Sequence, residues 1–326
     1  MIWYDTTTTY YATNTRNMTT KMGPRLLTIR LHLVRHGETY ANREGIVLGQ
    51  RESALTAQGI AQALALGERW TSTTTNKNKK QHPTGVPQFW RVYSSDYART
   101  QQTAALILRG GATYDEASQF RAALTATIVP DNRLKERAKG VKEGRKKTMP
   151  YDEALQLHQH EHGTSSAKLP LLESELDVWT RIQAWLEEVI EEASALQTGT
   201  SSFARHAQKL HPAGVYEILA VSHSATIRTI VNRLVGDQLP STVVRGSGDH
   251  EGSQAGMLTV PNTSRTIIDV AIGQRDDQDR HCDGDGNNIN TSTTSHNTNN
   301  NSNKAQPPIQ QLGATLIELT NTDHLI

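Results

Sequence analysis

What the sequence lacks excludes several classes of protein. Cysteine occurs once in 326 residues, at Cys282, so no internal disulfide can form and a reducing compartment is indicated. Neither sign of charge is in excess, because 34 Lys and Arg stand against 33 Asp and Glu. This balance argues against a protein dedicated to binding nucleic acid. No apolar run approaches the roughly 18 residues that span a bilayer. We therefore expect a cytoplasmic protein with neither nucleic-acid nor membrane partners.

Four stretches are more polar than a folded core allows. Residues 1–25 are Thr-rich and basic and lack the apolar segment of a secretory signal, so they predict a disordered N-terminal extension, with an organelle transit peptide as the alternative. Polar insertions are predicted at 71–88 and 196–214. Residues 273–311 are rich in Asn, Asp, Ser and Thr and predict a disordered loop. The rest of 26–326 is expected to form a single domain around these insertions.

Between these stretches, strand and helix patterns alternate. The strand candidates are 27–34, 90–94, 126–129, 216–222, 265–272 and 314–320. The helix candidates are 56–70, 97–109, 151–160, 174–194 and 224–235. Helix candidate 174–194 places Leu176, Trp179, Ile182, Leu186 and Val189 on one stripe. The alternation predicts an α/β fold with a doubly wound, mostly parallel sheet flanked by helices in three α/β/α layers.

Polar and charged side chains gather where the strand candidates end. They are Arg35, His36 and Asn42 after the first strand, Arg99 after the second, Glu136 after the third and His223 after strand 216–222. Because the carboxyl ends of parallel strands meet at one crevice, we expect these six side chains to converge. A histidine beside fixed positive charge at such a place is positioned to meet an anion.

This set of side chains suits phosphoryl transfer. Guanidinium groups offset phosphate charge through paired hydrogen bonds, and a neutral imidazole can attack phosphorus. A carboxylic acid can protonate the departing alkoxide and later deprotonate a water. No metal or organic cofactor is required if arginines supply the positive charge. Each group also has a structural interpretation: Arg99 and Glu136 as solvated surface charges, and His223 as a buried histidine with its hydrogen bonds satisfied.

Several motifs in fixed order resemble those of the histidine phosphatase (phosphoglycerate mutase-like) superfamily, and within it the fructose-2,6-bisphosphatase TIGAR group. They are RHGET at 35–39 with Asn42, SSDYARTQQTA at 94–104, LKERAKGVKEG at 134–144 and VSHSATIR at 221–228. Motifs that match in order are more specific than any one alone. The resemblance implies a phosphoglycerate mutase-like fold.

The resemblance also implies roles for individual residues. His36 is similar to the phosphorylated nucleophile and Glu136 to the proton donor. The groups similar to phosphate-holding residues are Arg35, Arg99, His223 and Asn42, and those expected to line the pocket are Gln50 and Ser224. The implied activity is that of a phosphoric monoester hydrolase without a metal or other cofactor. Its substrate would be a small phosphorylated metabolite, with fructose-2,6-bisphosphate and a role in glycolysis regulation first among the possibilities, and the protein a monomer or weak homo-oligomer.

Several positions depart from the family pattern, and two of them, Lys139 and Ser224, leave the substrate open. Glu52 stands where Asp is usual, Lys139 where an aromatic residue often precedes the glycine, and Ser224 where Gly is usual. A lysine at the pocket mouth favours a second phosphate. The alternatives are a phosphoglycerate mutase, a broad-specificity phosphomonoesterase and a catalytically inactive binding protein.

Overall fold

The computed structural model describes most of the chain, with gaps. The described residues are 27–72, 89–110, 128–163, 169–210, 213–239, 258–272 and 313–322. The predicted N-terminal extension, most of the insertion 71–88, residues 126 and 127 of the third strand candidate, and the loop 273–311 lie outside these residues. Those predictions therefore stay predictions.

Six strands of the described chain form one sheet in the order β3-β2-β4-β1-β5-β6. They are β1 (Leu27–Arg35), β2 (Phe89–Ser94), β3 (Ile128–Pro130), β4 (Val215–Ser222), β5 (Arg265–Ile272) and β6 (Gly313–Asn321). Strands β3, β2, β4 and β1 run parallel, whereas β5 is antiparallel to both of its neighbours. The mostly parallel sheet is therefore confirmed.

Seven α-helices accompany the described strands. They are α1 (Tyr40–Arg43), α2 (Ala57–Ser72), α3 (Ala98–Arg109), α4 (Tyr151–His162), α5 (Glu175–Thr198), α6 (Ser202–Leu210) and α7 (Ser224–Val235). Short 3-10 turns at Asn132–Leu134 and Gly140–Lys142 follow β3. The five helix candidates are confirmed with ends shifted by at most four residues.

The core lies on both faces of the sheet. Because side chains alternate along a strand, Ile218 and Ala220 of β4 pack in a cluster with residues of α5 and α7. Their neighbours Leu219 and Val221 pack in a second cluster with residues of α2 and α3. The result is a mixed sheet flanked by helices, as the sequence predicts.

Helix α5 begins at a capping box. The Ser174 hydroxyl accepts the amide of Asp177, and the Asp177 carboxylate accepts the amide of Ser174 at 2.8 Å. The predicted stripe is confirmed for Ile182, Leu186 and Val189, which are buried, and wrong for Leu176, which is 60 % exposed. Leu176 lies in the first turn, before the helix reaches the core.

The prediction that 196–214 lies outside the core is wrong. Helix α5 continues to Thr198, and residues Ser202–Leu210 form α6. Ala204 and Ala207 are buried in the core cluster. The side-chain amide of Gln208 donates to three carbonyls at the end of α5, those of Leu196, Gln197 and Gly199. A carboxyl-terminal helix end needs such donors, which is how this polar stretch becomes part of the fold.

Candidate active site

The carboxyl ends of the parallel strands are joined to one another at the site. The amide of His36, after β1, donates to the Ser222 carbonyl of β4 at 3.0 Å. The amide of Ser95, after β2, donates to the Val221 carbonyl of β4 at 3.0 Å. The amide of Asp131, after β3, donates to the β2 carbonyl of Ser94. Every segment that carries a predicted site residue therefore starts from this edge of the sheet.

His36 is held as a neutral imidazole with a free lone pair. Its side chain is buried, and Nδ1 lies 2.7 Å from the Gly37 carbonyl oxygen. Because a carbonyl only accepts, Nδ1 carries the proton and Nε2 keeps the lone pair. Burial, followed by the charges of Arg35 and Arg99, holds the pKa of His36 well below its ordinary value of 6.5. The Nε2 nitrogen of His36 can therefore act as a nucleophile without first losing a proton.

His223 lies against His36 and has the opposite tautomer. The ring centroids are 5.2 Å apart with the planes 63° from parallel. A guanidinium nitrogen of Arg99 lies 3.4 Å from His223 Nδ1, and because arginine only donates, the proton of the neutral ring is on Nε2. That Nε2 is buried without a hydrogen-bond partner among the described residues. Burial, then Arg99 and His36, holds the pKa of His223 well below 6.5.

Two arginines supply positive charge, Arg99 from a fully buried side chain and Arg35 from a part-buried one. Arg99 is 1 % exposed and donates through Nη1 to the Arg51 carbonyl at 2.7 Å and to the Glu52 carboxylate at 3.2 Å. Arg35 donates through Nη1 to the Val260 carbonyl at 2.7 Å. The Nε groups of both Arg35 and Arg99 are buried without an acceptor in the described part of the chain. Burial lowers the pKa of each guanidinium. The charge of Glu136 partly opposes this at Arg35, and the charges of Glu52 and then Glu136 do so at Arg99.

The cluster therefore holds three buried N–H groups that find no acceptor in the part of the chain that the structure describes: those of Arg35, Arg99 and His223. A buried donor left unpaired costs about 1–3 kcal/mol, so native proteins seldom retain several together without a function. A bound anion would supply oxygen acceptors of the kind that these donors lack. The structural interpretations of Arg99 as a surface arginine and of His223 as a satisfied core histidine are both wrong.

Glu136 carries the carboxylate of the site. Its Oε1 accepts the amide of Arg137 at 2.9 Å, and its Oε2 accepts the amide of Ala225 at 3.3 Å. Ala225 lies in the first turn of α7, where free amides favour a negative group. The side chain is half-buried and is therefore not the solvated surface acid of the alternative interpretation.

The other predicted residues lie around this cluster. Asn42 joins Thr39 in a capping box at the start of α1, and its Oδ1 accepts from Asn262 at 3.2 Å. Ser224 is the first residue of α7, directly after His223. The side-chain amide of Gln50 donates to the Glu136 carbonyl at 3.2 Å and to Glu173 at 3.1 Å. Gln50 is thus bound to the loop of the carboxylate, and its contact with a ligand stays a prediction.

Sequence reasoning gave no role to several residues that hold the site together. Glu52 accepts the first amide of α3, from Ala98, at 2.8 Å as well as binding Arg99. Tyr97 places its ring 4.5 Å from the Arg99 guanidinium and donates its hydroxyl to the Gln50 carbonyl at 2.9 Å. Burial raises the pKa of Tyr97 to about 12. The signal for Glu52 was its place in a family block, but its partners become visible only in three dimensions.

A second group of unassigned residues supports the carboxylate loop. Glu173 is buried, and its carboxylate accepts from the Ala138 amide at 2.8 Å and from Arg181 at 3.1 Å. Glu143 accepts the amides of Gln50 at 3.0 Å and Lys139 at 2.9 Å. These carboxylates join the loop after β1 to the loop after β3.

No group of three His, Cys, Asp or Glu side chains with the spacing of a metal site occurs within the described ranges. None of the helices that the structure describes is long and apolar enough to cross a membrane.

The fold and the site define an α/β protein with a cluster of histidine, arginine and glutamate side chains at the carboxyl ends of its parallel strands. The model of the histidine phosphatase superfamily (branch 1) matches residues 31–244, which is more than half of the chain. The protein therefore belongs to the histidine phosphatase superfamily.

Individual relatives agree with this family. The chain is 31 % identical over 164 residues to the probable phosphoglycerate mutase GpmB of Salmonella choleraesuis (strain SC-B67) and 32 % identical over 164 residues to that of Salmonella arizonae. Each match covers 50 % of this chain and 64 % of the relative.

Solved structures that are similar include a mycobacterial hydrolase (17 % identity, TM-score 0.49, 90 % of this chain and 98 % of that one). Another is the phosphoglycerate mutase of Bacillus anthracis str. Sterne (22 % identity, TM-score 0.46, 75 % of this chain and 89 % of that one).

Proposed function

We propose that this protein is a phosphatase that hydrolyses a small phosphorylated metabolite through a phosphohistidine intermediate. The single observation that carries the proposal is a buried His36 that keeps a lone pair on Nε2 and lies close to His223 and to the charges of Arg35 and Arg99. Each of these three neighbours has a buried N–H without an acceptor among the described residues. A phosphoryl group offers oxygens for the donors and an electrophilic centre for the lone pair.

In the first step, His36 Nε2 forms a bond to phosphorus while the bond from phosphorus to the ester oxygen breaks. The electron pair leaves on that oxygen, and Glu136 in its protonated form gives it a proton. The N–H groups of Arg35, Arg99 and His223 offset the charge on the phosphoryl oxygens. Asn42 and Ser224 extend this set of polar contacts in the proposal.

In the second step, the Glu136 carboxylate accepts a proton from water while the water oxygen bonds to phosphorus. The bond between phosphorus and Nε2 breaks, and its electron pair returns to His36. Phosphate leaves, and Glu136 is again protonated for the next turnover. No metal or other cofactor takes part in the proposed sequence.

Fructose-2,6-bisphosphate is the first substrate to test. The proposal of this substrate rests on the resemblance of the motifs to the TIGAR group and on Lys139, whose backbone amide binds Glu143 beside the Gln50 loop. A lysine there suits a substrate with a second phosphate.

The test is phosphate release from a panel of phosphoesters, with His36→Ala as the control. We expect turnover by the wild-type protein, acid-labile radioactive label on the protein after rapid quenching, and loss of both in His36→Ala. Label that persists in the alanine variant contradicts the proposal, as does an absence of phosphate release from every ester.

A phosphoglycerate mutase is the second candidate, favoured by the similarity to the Salmonella proteins that are named as probable phosphoglycerate mutases. A mutase returns the phosphoryl group to its bound product, whereas a phosphatase gives it to water. Incubation with a phosphoglycerate separates the two, because isomerised phosphoglycerate without free phosphate identifies the mutase.

A further inference from the structure

The loop that carries Glu136 is bound by side chains at three successive carbonyls. The Ser222 hydroxyl donates to the Leu134 carbonyl at 2.7 Å. The Thr226 hydroxyl donates to the Lys135 carbonyl at 2.7 Å. The Gln50 amide donates to the carbonyl of Glu136 itself. An irregular loop lacks the regular backbone hydrogen bonds of a helix or a sheet, so these side-chain bonds define where its backbone lies.

Two of these donors come from the segment that also carries His223. Ser222 and Thr226 are fully buried and lie one residue before and three residues after that histidine. The amide of Ala225, in the same turn, binds the Glu136 carboxylate. One turn of chain therefore fixes the phosphate-binding histidine, the backbone of the carboxylate loop and the carboxylate.

We propose that Thr226 is a positioning residue for Glu136, with Ser222 as a second one, an inference that rests on the proposed function. Thr226 touches no reacting atom. Its hydroxyl fixes the residue that precedes Glu136, and so the distance from the carboxyl group to the ester oxygen. Proton transfer needs that distance to be close to hydrogen-bond length, whereas attack by His36 does not depend on it.

Thr229 provides a matched comparison. It is buried and lies one turn further along α7, but it forms no hydrogen bond to the Glu136 loop within the described chain. Replacement by valine removes the same hydroxyl from either threonine and keeps the shape. Only Thr226→Val leaves the Lys135 carbonyl without its donor.

The experiment measures kcat/KM for two esters with the wild-type protein, Thr226→Val, Thr226→Ser and Thr229→Val. One ester is p-nitrophenyl phosphate, whose leaving group departs without a proton, and the other is an alkyl phosphate, whose leaving group needs one. Because kcat/KM stops at the first irreversible step, it reports transfer to His36 and not the later hydrolysis.

We expect Thr226→Val to lower kcat/KM for the alkyl ester by about tenfold or more and for the aryl ester by less than about twofold. Thr226→Ser should restore the alkyl value, and Thr229→Val should match the wild type for both esters. Equal losses for the two esters, or no loss for either, overturn the inference, and so does a serine variant that behaves like valine.

Ser222→Ala provides a second test if Thr226→Val fails to fold. It removes the hydrogen bond to the Leu134 carbonyl and should give the same preference for the aryl ester. An equal loss for both esters in this variant also counts against the inference. If the wild-type protein hydrolyses neither ester, the proposed function has failed instead, and the two failures are therefore distinguishable.

Discussion

At the scale of single residues, the proton of each site histidine is fixed by the one neighbour that contacts its Nδ1. The Gly37 carbonyl places the His36 proton on Nδ1, and Arg99 places the His223 proton on Nε2. The pKa of both rings is held well below 6.5, mainly by burial. We therefore expect nitrogen-15 NMR of histidine-labelled protein at pH 6.5 to show two neutral rings of opposite tautomer in the empty enzyme.

His36→Ala and His223→Ala assign the two signals, since each removes one of them. The tautomers matter for the proposed function because they place a lone pair on Nε2 of His36 and a proton on Nε2 of His223, and neither nitrogen has a hydrogen-bond partner among the described residues. A charged imidazolium pattern for His36 at this pH would contradict the assignment of a ready nucleophile, and identical tautomers would contradict the contact geometry.

At the scale of elements, Gly49 joins two loops through a close approach to Glu143. Its φ of +52° is left-handed, and an added Cβ would lie 2.1 Å from the Glu143 carboxylate that binds the Gln50 and Lys139 amides. We expect Gly49→Ala to displace that carboxylate and lower kcat/KM by about tenfold. Gly45→Ala is the control, because φ is +67° there but nothing lies within 4 Å.

Both glycine variants place alanine in a left-handed conformation, which should lower the free energy of unfolding by about 1–2 kcal/mol. Urea unfolding measures this loss. Only Gly49→Ala should also lose activity. A loss of activity in Gly45→Ala as large as in Gly49→Ala would show that strain in the loop, and not the contact with Glu143, determines the effect.

The elements also show what the sequence can and cannot predict. Helices such as α5 and strands such as β4 follow from the spacing of apolar residues, and His36, Glu136 and His223 from motifs at strand ends. Helix α6 was missed because its place in the fold depends on Gln208 binding the end of α5, a contact that periodicity does not encode. Glu52 was unassigned for the same reason, since its partner Arg99 is distant in the chain.

At the scale of the whole molecule, the burial of neutral histidines links stability to pH. Within the described ranges, three buried rings have a pKa held well below 6.5: His36 and His223 in the site, and His32 on β1. In the unfolded chain each would bind a proton near pH 6.5, whereas in the folded protein it does so only at lower pH. The free energy of unfolding therefore falls as the pH drops below 6.5, by up to about 1.4 kcal/mol per pH unit for each ring.

His32 separates this effect from the active site. Its ring packs edge-on against Trp70 and Phe89, and neither ring nitrogen has a hydrogen-bond partner in the described ranges. His32→Leu removes one titrating ring and two unpaired polar atoms, so we expect a higher free energy of unfolding at every pH and a shallower fall in acid, with kcat/KM unchanged. Urea unfolding across the range from neutral pH to about two units below 6.5 measures both. If wild type and variant lose stability with the same slope, His32 binds its proton equally readily in the folded and the unfolded chain, which contradicts a pKa lowered by burial.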